Sequence, residues 1–561
     1  MLGSFSLRNR PFLPLYGEVD DFSNLSALIV DAQAGMRNGL RGMLSQIGLR
    51  EIEDAAAANI GLQKLKQRQY DLVFCEYHLG EGQDGQHFLE DARHHGLLPL
   101  SAIFILVTGE SDQGCVAGAA ELAPSDYLLK PFAADLLHER IERSLARRTA
   151  FLPAYRAMEA TNLHAAITYC GGAAERFPQY LLDFLRLKAE LHLAIGEPDA
   201  AQAIYQQVID AKAVPWAKLG LGKSLFMQKR YADAEQALAA LTLENRQFVD
   251  AYDWLARARE ALGDFKAAQR AIQDAVAVSP HALRRLRRLG EVALEAGDAE
   301  AAERALAEVV RKGKYSEYRD PEDHMLLVRS QVARNDRQGA EKTVRDLEKS
   351  MHGLKKTEAC AALSSALVYE QAGETDKAKA ALARALAAAP PEAGLSARAK
   401  LQMASSCLAH AMDAEAGELL QDVMRNAADG AVMERAKGVL RNAGKAELAD
   451  QMETRISGEV VELVSQGASR AHSGDHEGAV ALMLEAAKKM PGNVQVAFNA
   501  ALALLKHIEH RGWDHGMAAC AKEFLDRARK ADPAAGRISA LVAYYHGMLG
   551  KYGMEKGPGS N

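Results

Sequence analysis

The chain has 561 residues, of which 48% are hydrophobic, 25% charged and only 6% aromatic, with a formal net charge of −6. A chain of this length buries a large core, which excludes outright disorder; at roughly 150 residues per domain it holds three or four domains, or one domain and a long repeat array. Mild acidity argues against a nucleic-acid protein, whose surface concentrates Lys and Arg, and no run of about 18 apolar residues spans a membrane.

Residues 1–24 have no apolar h-region before a small-residue cleavage site, so they do not read as a secretory signal. Phe5, Phe12, Leu15 and Tyr16 make this extension apolar and aromatic: it either docks on the rest of the chain or a second copy, or forms a mobile arm. Cys75, Cys115, Cys170, Cys360, Cys407 and Cys520 are scattered without CxxC pairs, which reads as buried thiols in a reducing compartment. A cytoplasmic protein is expected.

Over residues 25–145, apolar runs of strand length fall at Ala27–Val30, Leu72–Cys75, Ile103–Thr108 and Tyr127–Leu129, with a weaker one at Glu51–Asp54. Helical spacing lies between and after them, at Met36–Ile47, Ala57–Gln67, Gly85–His94 and Ala133–Arg147. This alternation predicts βαβ units and a parallel sheet, an α/β domain whose chemistry sits at the carboxyl ends of the strands.

From residue 146 to 549 the strands vanish and helical spacing repeats. Tyr252, Leu255, Ala256, Gly263, Phe265, Ala268, Ile272, Ala275 and Pro280 describe a helix, a Gly turn, a second helix with small contact residues, and a Pro stop, which matches the tetratricopeptide (TPR) pattern. The same turn position recurs at Thr161, Gly196, Lys229, Gly263, Gly297, Asn335, Gly373, Met412, Gly444, Gly474 and Gly516. Five residues after each stands Ala or Gly, the small residue that lets two helices approach closely. The unit at Gly444 is weak. About ten to eleven hairpins are expected, an all-α solenoid, followed by a disordered tail over 550–561. The first hairpin begins where the α/β domain's last helix ends, so the two helices run on as one or nearly so, with Pro153 as a kink point and no flexible linker.

Leu28-Ile-Val-Asp31, Tyr70 to Glu76, Gly85, Ile105 to Gly109 and Tyr127 to Pro131 resemble the receiver domain of two-component response regulators. The whole chain thus resembles a response regulator with a TPR output. The resemblance implies two adjacent acids that hold Mg²⁺, a phosphoacceptor Asp, a hydroxyl, a Lys and an aromatic switch residue. Asp31 matches the first acid, Thr108 the hydroxyl, Lys130 the ammonium and Tyr127 the switch. The second acid is Ala32 and the phosphoacceptor position is Glu76.

Three carboxylates against one Lys require a divalent cation; Asp31 and Glu76 against Lys130 do not, and Ala32 offers a metal no oxygen. Glu76, one methylene longer than Asp, is expected to pair with Lys130 and accept from the Thr108 hydroxyl. The reading is a pseudoreceiver that takes no phosphate and no cofactor, either held in an active-like arrangement or simply inert. The alternative is a genuine Mg²⁺- and phosphate-dependent switch.

The solenoid's first helices offer Trp216, Lys223 and Phe226, then Arg257, then Arg284 and Arg287, as the lining of a partner groove for an acidic helix or tail. Arg-rich helix faces are otherwise solvated, and a nucleic-acid-binding solenoid is the third reading. His78, His87, His94 and His95 lack accompanying carboxylates or Cys at ligand spacing and read as surface, so no metal site is expected. Trp513 is expected to pack. Leu136, Leu137 and Ile141 serve either a receiver dimer or the core. GxxxxGK[ST], GxGxxG, HExxH and GxSxG are all absent. The function expected is non-enzymatic: a signalling adaptor whose TPR array binds and regulates a protein partner, such as a signalling enzyme.

Overall fold

A computed structural model describes residues 22–79, 85–109, 125–160, 162–280, 282–313, 319–427, 430–531 and 536–553. The aromatic N-terminal stretch, Cys115, the first turn marker Thr161, the side chains of His87 and His94, and residues 554–561 of the tail lie outside the described residues, whereas the helix Gly536–Lys551 extends into the start of the tail expected from 550. The chain divides into two compact units, one ending at Tyr155 and the other beginning at Arg156.

In the first unit, β1 (Ser26–Val30), β2 (Glu51–Ala55), β3 (Leu72–Glu76), β4 (Ile103–Thr108) and β5 (Asp126–Leu129) form one parallel sheet in the order β2-β1-β3-β4-β5. Helices α1 (Ala34–Gln46), α2 (Ala58–Gln67) and α3 (Gly85–His94) connect strands, and α4 (Ala134–Glu159) follows the sheet. The apolar strand runs arise because both sheet faces are covered. Leu28, Val30, Val73, Cys75, Phe104 and Leu106 face α2 and α3. Ile29, Phe74, Ile105 and Val107 face Leu40 and Leu44 of α1 and Leu137, Ile141 and Leu145 of α4. Leu137 and Ile141 are fully buried, which settles them as core, whereas Leu136 is exposed. Helix α4 is a single 26-residue element with Pro153 inside it.

The second unit is helical throughout its described residues. Its first four complete hairpins pair Leu181–Ala194 with Pro198–Ala211, Pro215–Met227 with Tyr231–Glu244, Val249–Ala261 with Phe265–Val278, and Leu283–Glu295 with Ala299–Gly313. Backbone φ is positive at Gly196, Lys229, Gly263, Gly297, Asn335, Gly373, Gly444 and Gly474, the expected turn positions. Each such residue lets the helix end in the left-handed conformation while its neighbours' amides bond back to the last turn. Two markers move. The turn expected at Met412 is at Ala411, so the packed small residue is Ala416, at 0% exposure, and not Gly417. Gly516 lies inside the helix His515–Ala531, and the turn before that helix is at Gly512.

The small residue five positions on is fully buried at Ala201, Ala234, Ala268, Ala302, Ala340, Ala378 and Ala449; Ala521 is fully buried too but stands nine positions after the turn at Gly512. At Gly220 even an Ala is too large, since a Cβ there would stand 2.2 Å from the buried Tyr205 ring. The weak unit at Gly444 has a structural counterpart: its second helix continues without a break as the 27-residue Ala446–His472. Trp513 packs against the C-terminal core, its ring 5.6 Å from that of Tyr552. Among the described residues no cysteine forms a disulfide, and burial pushes the Cys170 and Cys407 thiols up to about 11, which keeps them protonated and unreactive.

His324, on the helix Pro321–Ala333, carries a pH dependence into the solenoid. It is 4% exposed, and burial, reinforced by Arg319, pushes its pKa down to about 4 from an ordinary 6.5. The unfolded chain therefore binds this proton first as pH falls, so stability is complete above pH 6.5 and is lost between there and about 4. The expected loss is about 3 kcal/mol, and His324→Leu should flatten that part of a urea-midpoint-versus-pH profile.

Candidate functional site

The strand order reverses between β1 and β3, so the chain leaves these neighbouring strands in opposite directions and opens a crevice at their carboxyl ends. Asp31 directly follows β1 and Glu76 ends β3. Thr108 ends the adjacent β4, and Lys130 directly follows β5. Four of the six expected site residues are thus placed together by sheet topology.

One ammonium organises them. Lys130 Nζ donates to Asp31 Oδ2 at 3.0 Å and to Glu76 Oε2. The backbone N–H of Lys130 donates to the Thr108 carbonyl at 2.8 Å, fixing where the side chain starts. The second Glu76 oxygen accepts the His78 amide N–H at 3.2 Å, and Asp31 Oδ1 accepts that of Gln33 at 2.8 Å. All three side chains are largely buried, with 18% of Lys130, 11% of Glu76 and 8% of Asp31 exposed. Burial alone would lower the Lys130 pKa, but its hydrogen bonds to Glu76 and Asp31 outweigh that and raise it, so the ammonium is charged at any physiological pH. Gly85 packs against this corner: a Cβ there would stand 2.4 Å from the Glu76 carbonyl oxygen.

Ala32 contributes a backbone carbonyl and nothing more. Arg37 of α1 holds that carbonyl at 3.1 Å and the Asp31 carbonyl at 2.8 Å, while its Nε reaches Asp54 at 2.8 Å. Arg41 completes the arrangement on Asp54 at 2.5 Å. Burial pushes the Asp54 carboxyl up, and the two arginines more than reverse this, holding it below its ordinary value. Sequence reading missed Arg37, because a single Arg in the first turn of an amphipathic helix carries no motif. Tyr127, in β5, is half-buried and packs its ring against the α2/α3-side core. An apolar cavity of about 190 Å³ adjoins the cluster, walled by Met36, Leu40, Phe74 and Phe132, with Asp31, Glu76 and Lys130 also on its lining.

The groove residues of the solenoid lie on the first helices of successive hairpins. Trp216 packs edge-on to Tyr205, with ring centroids 6.3 Å apart. Phe226 meets the edge of Trp254 at 5.5 Å. Lys223 Nζ stands 5.4 Å and Arg257 Cζ 4.6 Å from the Trp254 ring centroid. Trp254, absent from the expected set, is therefore the hub of this step. It shares the helical spacing of Asp250 and Arg257, and a period of 3.6 admits either 253 or 254 between them.

The Arg284–Arg288 stretch divides. Arg285, expected on no face in particular, is 4% exposed and forks onto Asp253 at 2.7 and 3.0 Å. Arg287 forks onto Asp323 at 2.5 and 2.7 Å. Arg288 bonds Glu260 and Glu291. Three arginines are thus struts between consecutive repeats, neither a solvated face nor a free basic stripe; Arg287 still lines a concave cavity with Glu291 and Arg329, but already paired. Arg284 is exposed and forms no ion pair among the described residues.

Comparison with known proteins matches these two parts separately. The response regulator receiver domain family matches residues 27–142, and the tetratricopeptide repeat family matches 186–248 and 255–317. The chain is 30% identical over 118 residues to the "Probable chemotaxis protein CheY" of Rhizobium etli, covering 21% of this chain and 90% of that one. It is 26% identical over 124 residues to chemotaxis protein CheY-3 of Vibrio cholerae, covering 22% and 94%. Among solved structures it is similar to the pilF protein of Pseudomonas aeruginosa, at 16% identity and TM-score 0.30 over 38% of this chain and 94% of that one. With its five-stranded parallel sheet, its receiver match and the repeats that follow, the chain belongs to the response-regulator receiver family and carries a tetratricopeptide array after its receiver.

Proposed function

We propose that the chain is a non-enzymatic, cytoplasmic signalling adaptor in which a receiver that takes no phosphate is joined to a TPR array that binds and regulates a protein partner. The observation that carries this reading is the Lys130 ammonium bridging Asp31 and Glu76 beside Ala32. In a phosphorylatable receiver the acids must be free to hold Mg²⁺, which demands near-octahedral oxygen ligands. Here one acid position is a methyl group, and both remaining carboxylates are neutralised internally. This donor set does not fit a divalent cation, so the site functions without a cofactor. Glu76 carries its carboxylate one methylene further than Asp and presents it to Lys130, which leaves it a poor nucleophile toward a phosphoryl donor.

The retained Thr108 and Lys130 favour a second reading, a Mg²⁺-dependent phospho-switch. The Arg284–Arg288 stretch gives a nucleic-acid role little support, because three of its four guanidiniums face carboxylates inside the solenoid. Intact mass after incubation with acetyl phosphate and Mg²⁺ decides between the first two. No change is expected; a gain of one phosphoryl group that disappears in Glu76→Gln overturns the adaptor reading in favour of the switch.

A further inference from the structure

The solenoid step around Trp254 carries more cations than ion pairs among the described residues. On the first helices of its hairpins, Arg186 is bonded to Glu190, Arg285 to Asp253 and Arg288 to Glu260. Lys223, Arg257 and Arg284 form no ion pair among the described residues, and the one unpaired carboxylate beside them is Asp250. An excess of two positive charges remains on one face. Lys223 is also half-buried, and burial pushes its pKa down from the ordinary range, while Arg257 is exposed beside it on the Trp254 ring. A cation that has lost water without gaining a carboxylate is an unfavourable arrangement that an incoming anion relieves.

The surrounding surface is aromatic. The Trp254 ring, held edge-on by Phe226, supports both cations, and Trp216 lies one hairpin earlier. Flat, rigid rings beside paired donors suit a ligand that alternates carboxylates with apolar side chains.

We propose that this face, from Trp216 to Arg284, binds an acidic peptide segment of a protein partner, with carboxylates on Lys223, Arg257 and Arg284 and an apolar side chain against Trp216 and Phe226. This rests on the reading of the TPR array as a partner-binding surface and specifies the chemistry of that partner. Single-stranded nucleic acid offers anions and stackable bases too, but it spaces its charges along a continuous backbone, whereas the cations here cluster on one aromatic step.

Two of the chain's three tryptophans lie on this face, so intrinsic fluorescence reads it directly. The full chain should be titrated with a synthetic peptide alternating Glu with Leu, with the same peptide carrying Lys for Glu, and with single-stranded oligonucleotide. Saturable quenching by the acidic peptide alone is expected, weakening with salt and falling about tenfold or more in the Lys223→Glu/Arg257→Glu variant. Arg284→Glu, at an exposed residue with no ion pair among the described residues, should weaken it several-fold without altering thermal stability, and keeps the test valid if the double variant misfolds. Equal binding of the Lys peptide, tighter binding of the oligonucleotide, or no binding of any probe overturns the proposal. Affinity capture from native extract with wild type and Arg284→Glu separates the two levels. A partner retained by both, with no acidic-peptide binding, refutes the acidic chemistry and leaves the adaptor reading standing; capture by neither refutes the adaptor reading itself.

Discussion

Glu76→Asp combined with Ala32→Asp is expected to convert a chain that takes no phosphate from acetyl phosphate into one that gains a single phosphoryl group in the presence of Mg²⁺. The shorter side chain at 76 draws the carboxylate back from Lys130, and the new carboxylate at 32 raises the local negative charge from two acids to three. Lys130 alone cannot balance three, so a divalent cation becomes the favoured counter-ion, and the same cation then screens an incoming phosphoryl group. Neither change disturbs the sheet, since residue 32 lies beyond β1 and residue 76 is the last of β3. Glu76→Asp alone should gain far less, because Arg37 still holds the Ala32 carbonyl and no second acid faces the metal. Intact mass and a Mg²⁺ titration of the double variant check both statements. If wild type is modified as fully as the double variant, the internal neutralisation has no inhibitory role.

Asp253→Ala is expected to destabilise the solenoid by about 3–5 kcal/mol. Arg285 has 3% of its side chain exposed and forks onto Asp253 at 2.7 and 3.0 Å. Removing the carboxylate leaves a buried guanidinium with its main counter-ion gone. Because each repeat is stabilised by its neighbours, the loss should appear locally, as faster amide exchange in the helices Val249–Ala261 and Leu283–Glu295. Arg285→Leu in the same chain should recover most of the loss, since an apolar pair replaces a broken ionic one. Arg284→Ala, one residue away and exposed, should be close to neutral. Equal effects at 284 and 285 would show that the strut has no special weight.

Element type and order were legible because they follow from short-range patterning. Strand-length apolar runs between helical periods specify a doubly wound sheet, and a small residue five positions after each turn marks the close contact of a helical hairpin. The positions of Asp31, Ala32, Glu76 and Lys130 were legible through the resemblance to receiver domains, which places its site residues at the ends of β1, β3 and β5. Long-range partnership was not. Nothing local distinguishes Arg284, which faces solvent, from Arg285, Arg287 and Arg288, which bond carboxylates 28 to 36 residues away. Those pairings depend on how each hairpin is rotated against the next, a quantity set by packing. Arg37 on the backbone of Asp31 and Ala32, and Trp254 beneath two cations, arise in the same way. The sequence by itself determined which elements form and which residues stand at the strand ends. Only the tertiary structure decided which charges neutralise one another and which are left for a partner, because that depends on side-chain distances of a few ångströms between segments far apart in the chain.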